Sequence, residues 1–240
     1  MIIWEGRLLG SFADFLEHMD WQSLLDTLLT AVAALICLTV HELCHGAVAY
    51  RLGDPTAKNA GRLTLNPIRH IDPLGLILMI TAKVGWAKPV PVDPRYFKKP
   101  KAGMALTALA GPVSNFVLAW VFLLLGGGLM RLLDAFALSL PEWAFTALLW
   151  TLQFLLNAAI LSVGLGIFNL FPIPPLDGSK VLFSFLPDRI YYTILRYERY
   201  VMLVMLAAVW LGWLDKPLTF LITRAANLLC TLSFFPMPLF

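Results

Sequence analysis

Apolar residues in this chain gather into long runs divided by short polar stretches. The first run extends from about Trp21 to Tyr50 and carries the polar group H-E-L-C-H near its end. A second, from Leu74 to Ala87, is only about 14 residues long and contains Lys83 and Gly85. A helix needs roughly 20 apolar residues to cross the hydrocarbon core of a bilayer, so this segment reads as a re-entrant or hairpin element. The Pro-interleaved stretch W-A-K-P-V-P-V follows it. Further runs lie at about Gly103 to Met130, Trp143 to Phe171, Tyr200 to Leu214 and Leu218 to Phe235. The pattern predicts an all-α polytopic membrane protein with about five or six transmembrane helices and a small re-entrant or β element after the first core helix. Residues 1–20 read as a juxtamembrane segment, 21–186 as the core and 187–240 as C-terminal transmembrane helices.

Composition agrees: 59% of the 240 residues are hydrophobic and only 14% charged, where a soluble domain sits near half and a quarter. The N-terminus does not read as a cleavable signal, because Glu5, Asp14, Glu17 and Asp20 outnumber Arg7 where a signal is basic and then apolar. Cys37, Cys44 and Cys230 lie in or beside apolar segments and form no paired framework.

The placement of charge orients the helices. Arg51, Lys58, Arg62, Arg69, Lys83, Lys88, Arg95, Lys98, Lys99 and Lys101 follow the first span, and Lys180, Arg189, Arg196 and Arg199 follow the span ending near Phe171. The opposite ends offer only Arg7, Arg131 and Lys216, with Arg224 inside the last run. By the positive-inside rule the first span ends in the cytoplasm, the next rises and the Trp143 span descends. H-E-L-C-H and the carboxylate of Asp177 are then expected at similar depth, toward the cytoplasmic side.

His41, Glu42 and His45 form H-E-x-x-H. On a helix, residues four apart share a face, so two imidazoles can converge on one zinc ion while Glu42 serves as general base. Shuffling this composition should produce the motif on the order of once per thousand chains. Ionisable residues inside a membrane segment are costly and face a cavity or a partner. A catalytic zinc needs a third protein ligand and an open position. The candidates are His18, His70, Asp72, Asp93 and Asp177. Asp177 stands out in N-L-F-P-I-P-P-L-D-G, where prolines stop an apolar helix and can aim a lone carboxylate inward. The alternative is a solvated Asp in a turn before Gly178.

These motifs resemble the site-2 protease family of intramembrane metalloproteases, bacterial type. H-E-L-C-H matches its zinc motif and N-L-F-P-I-P-P-L-D-G its second signature. The stretches G-R-L-T-L-N-P-I-R-H-I-D-P-L-G, G-W-A-K-P-V-P-V and G-P-V-S-N are also similar to bacterial members, so the likeness runs from about Ala34 to Gly178. It implies zinc, one per chain, on His41, His45 and Asp177, with Glu42 as the base. It implies that Asn169 faces the site and orients substrate or stabilises the oxyanion, against an ordinary interhelical hydrogen bond. It implies that W-A-K-P-V-P-V offers a strand edge to an unwound substrate, against a surface loop whose prolines blunt pairing. His70 and Asp72 are expected to be structural, and Cys44 to pack. Many family members carry PDZ or cystathionine-synthase-type domains, for which this chain leaves no room. Control of access is then expected from membrane elements, a partner or prior cleavage of the substrate.

The expected partners are a transmembrane substrate, the bilayer and a regulatory membrane protein, with no nucleic acid. The expected place is the cell membrane, multi-pass. Two other readings remain: a metal-ion transporter using the His/Asp site, which has no need for Glu42, and a catalytically silent scaffold, which would not need His41, Glu42, His45 and Asp177 all intact.

Overall fold

The structure, a computed structural model, describes residues 20–72, 75, 88–136 and 139–233. Helix α1 (Trp21–Arg51) starts where the Asp20 carboxylate accepts the backbone N–H groups of Gln22 and Ser23, both at 3.1 Å. An N-terminal cap of this kind satisfies donors that have no partner within the helix. After the short α2 (Thr56–Asn59) the chain makes single 3₁₀ turns at Pro67–Arg69 and Pro94–Tyr96. Two long helices follow, α3 (Pro100–Phe136) and α4 (Glu142–Leu170). A Pro-rich break then leads to α5 (Asp177–Phe183), α6 (Asp188–Trp210) and α7 (Asp215–Leu232).

Helices α1, α3 and α4 contain 31, 37 and 29 residues and are long and apolar enough to cross a membrane. They pack on one another through small residues. Ala33, Cys37, Ala158, Ala159 and Cys230 are buried with Phe122 and Leu123, while Leu24, Leu28, Leu124 and Leu125 point outward. Small side chains let helix backbones approach closely where lipid supplies no hydrophobic drive to associate. A second cluster of Ala119, Val163 and Ile167, with Leu218 and Ile222 against it, seats α7 on α3 and α4.

The C-terminal region, where the sequence predicts two further spans, forms a bent pair of helices. Arg189, Arg196 and Glu198 occupy the first half of α6, leaving only its later part apolar. The chain then turns at Gly212, whose φ of 72° suits glycine. The Tyr200–Trp210 part of α6 and α7 meet at 83°, which makes them a broken span or a re-entrant pair. Among the described residues, three helices are long and apolar enough to cross a membrane, or four spans if the bent pair counts as one, against an expectation of five or six for the whole chain. The described residues contain no strand. Ile71 forms an isolated bridge, and the Lys88 N–H donates to the His70 carbonyl at 2.9 Å. Apart from Gly75, the Leu74 to Ala87 element lies outside the described residues.

Candidate metal site

His41 and His45 sit one turn apart near the C-terminal end of α1, with ring centroids 4.5 Å apart and ring planes perpendicular. Asp177 arrives from the opposite direction. The run Pro172 to Pro175, with a cis bond between Pro174 and Pro175, ends α4 and places Asp177 first in α5. Gly178 lets the chain fold back here, because a Cβ on it would lie 2.1 Å from the Leu170 carbonyl oxygen.

The Asp177 Oδ2 atom stands 3.1 Å from both His41 Nε2 and His45 Nε2, which are 2.9 Å from each other. All three side chains are buried, and as a group they could hold a metal ion. Two nitrogens and one carboxylate oxygen form a ligand set suited to zinc. His45 Nδ1 donates to the Thr107 carbonyl at 2.7 Å, which leaves the Nε2 lone pair of a neutral ring facing the centre. His41 Nδ1 lies 3.0 Å from Asn115 Nδ2, while the buried Asn115 Oδ1 has no partner. The two ends of a side-chain amide exchange by a half-turn. Turned, Asn115 accepts the Nδ1 proton of His41 and the His41 Nε2 lone pair also faces the centre. The residues present fit a zinc ion.

Helix α3 reaches this close because of Gly111. A Cβ there would meet His45 Nε2 at 2.4 Å and His41 Cε1 at 2.6 Å. Glu42 shares a cavity of about 310 Å³ with the two histidines, Asp177 and Asn169. Its Oε2 accepts the Val90 N–H at 2.8 Å. Lys180 lines the same cavity, with Nζ 3.4 Å from the second Asp177 oxygen.

Of the other sequence candidates, His70 is buried with Nε2 donating to the Thr64 carbonyl, and Asp72 accepts the Gly75 N–H. Asp93 pairs with Arg95 at 2.6 Å, and the Arg95 guanidinium holds its carboxyl below the usual carboxylate range. His18 lies outside the described residues. Asn169 reaches the cavity, but its Nδ2 donates to the Leu165 carbonyl one turn back in its own helix. Pro89 and Pro91 carry no N–H and that of Val90 is taken by Glu42, so residues 89–91 have no donor left for a substrate strand. Over these residues the loop alternative describes the segment better than the strand edge. The Thr107 carbonyl, Gly111, Asn115, the Val90 N–H and Lys180 had no site role in the sequence reading. Two of them stand in G-P-V-S-N, where a Gly-Pro pair inside an apolar helix was the available sign.

Fold and site together define a membrane protein with a buried His/His/Asp group that could hold a metal ion, beside the Glu42 carboxylate held by the Val90 N–H. The family model described as Peptidase family M50 matches residues 138–212, which include Asn169 and Asp177. Over 175 residues the chain is 41% identical to the Bacillus subtilis protein named "Putative zinc metalloprotease YwhC", covering 73% of this chain and 77% of that one. It is 35% identical over 185 residues to "Putative zinc metalloprotease Rip2" of Mycolicibacterium smegmatis, covering 74% of this chain and 64% of the relative. No solved structure matches. The chain belongs to peptidase family M50, the site-2 protease family, and is a zinc metalloprotease.

Proposed function

We propose that this protease cleaves peptide bonds within or beside transmembrane segments of other membrane proteins, in regulated intramembrane proteolysis. In this reading one zinc ion per chain is held by His41, His45 and Asp177 near the cytoplasmic side. The supporting observation is the position of the triad, buried among helices that are themselves apolar enough to span a membrane. A substrate reaching it through lipid would be a membrane segment, unwound locally because a helical amide is hidden in its own hydrogen bonds.

Zinc, when bound, supplies Lewis-acid polarisation of the scissile carbonyl and acidifies the attacking water. Glu42 takes the water proton on its carboxylate and passes it to the leaving amine. The Thr107 carbonyl and Asn115 fix the two imidazoles with Nε2 inward, and Lys180 holds the second oxygen of Asp177. Asn169 exchanges its bond to the Leu165 carbonyl for one to substrate, where its amide N–H groups meet the developing negative charge. The burial of His41, Glu42 and Asp177 limits bulk water at the site.

The test is to reconstitute the full chain in liposomes with a single-span substrate and map the cut by mass spectrometry. A cut inside or within a few residues of the span supports the reading. Cleavage confined to soluble peptides, with the span untouched, overturns it.

A further inference from the structure

The Glu42 carboxylate is held from outside its own helix, and the group that holds it is itself held by buried side chains. Its donor is the Val90 N–H at 2.8 Å. On the N-terminal side of Val90, Arg62 Nη2 donates to the carbonyls of Lys88, at 2.5 Å, and Pro89, at 3.3 Å. The Lys88 N–H donates to the His70 carbonyl, and His70 in turn donates from Nε2 to the Thr64 carbonyl. On the C-terminal side, Asp54 Oδ2 accepts the Asp93 N–H at 2.7 Å, while its Oδ1 accepts from the Thr56 N–H and hydroxyl. Asp54, Arg62 and His70 are 0%, 7% and 2% exposed. Arg62 makes no ion pair among the described residues.

Burying a guanidinium without a counter-charge is costly. Its partners are two carbonyls that fix the backbone immediately before Val90. Prolines on both sides of Val90 narrow its backbone further, so its N–H direction follows from the clamp.

We infer that Arg62 is a positioning residue for the hydrolytic reaction. By gripping the Lys88 and Pro89 carbonyls it aims the Val90 N–H at Glu42 and fixes the carboxylate beside the His/His/Asp group. His70 and Asp54 anchor the two ends of the same segment. The inference rests on the reading of Glu42 as general base. It also gives His70 a defined structural task.

The test uses the full chain in detergent as wild type, Arg62→Met, Arg62→Lys, Glu42→Ala and Glu42→Gln. Zinc content, cleavage of a single-span substrate and amide hydrogen exchange are measured on each. Residues 88–93 carry four backbone amides, on Lys88, Val90, Val92 and Asp93. Arg62→Met is expected to keep its zinc and a wild-type KM while kcat falls about 10–100-fold, the scale of a misplaced catalytic group. Its Val90 amide should exchange at least about tenfold faster. Arg62→Lys, which keeps a donor but not the fork, should recover part of kcat, and it carries the test if Arg62→Met does not fold. Glu42→Ala should release the Val90 amide while those of Lys88 and Asp93 stay protected. A wild-type kcat in Arg62→Met, zinc loss in both Arg62 variants, or unchanged Val90 exchange overturns the inference. Turnover by Glu42→Gln would instead refute the general-base reading, and the exchange data would still judge the clamp.

Discussion

Asn115 meets His41 Nδ1 at 3.0 Å from α3, so the ring orientation of one metal-site histidine is set by a helix other than its own. If the amide oxygen faces the ring, an acceptor at this position is what matters. Asn115→Asp should then bind zinc within about threefold of wild type, while Asn115→Leu should lose about 10–100-fold in affinity. Titration against a chelator of known affinity measures both. An Asp variant weaker than the Leu variant would show that the amide nitrogen faces the ring.

Gly111 predicts a steric effect with a built-in control. A methyl group there would meet His45 Nε2 at 2.4 Å, whereas a Cβ at Gly128 in the same helix meets nothing within 4 Å. Gly111→Ala should abolish zinc retention and cleavage, and Gly128→Ala should leave both unchanged. Zinc content of the two purified variants decides the matter.

Asn169 separates chemistry from packing. If its amide turns to substrate during the reaction, Asn169→Ala should lower kcat about 100-fold, with zinc content and KM held. If it serves only to hold the Leu165 carbonyl, kcat stays near wild type and only thermal stability shifts.

The proposed orientation is open to direct labelling. In a chain with its native cysteines replaced by serine, Lys98→Cys should be shielded from a membrane-impermeant thiol reagent added to intact cells. Arg131→Cys should react. Both positions are exposed in the fold, so the reverse pattern would place the site on the outer face.

Much of this site was legible because its chemistry contradicts its surroundings. H-E-L-C-H stands out in an apolar helix, and Asp177 stands out after a proline-broken one, since each needs a reason to leave water. The geometry brings Asp177 to the two histidines and leaves His70, Asp72 and Asp93 in bonds of their own. The supporting groups were less visible. The Val90 N–H is a backbone donor that every residue type but proline offers, and the Thr107 carbonyl an acceptor that every residue type offers. Asn115 in an apolar helix reads equally well as an interhelical bond. The apolar runs from Tyr200 and Leu218 were legible, but the 83° bend between them depends on the turn at Gly212, which apolar length alone does not register.

The assignment of Glu42 as general base and Asp177 as metal ligand is tested most directly by comparing zinc content and cleavage of a single-span substrate for wild type, Glu42→Gln and Asp177→Ala. Wild type should cut, Glu42→Gln should keep zinc without cutting, and Asp177→Ala should lose both. Wild-type cleavage by Glu42→Gln, or full zinc occupancy in Asp177→Ala, would contradict that assignment.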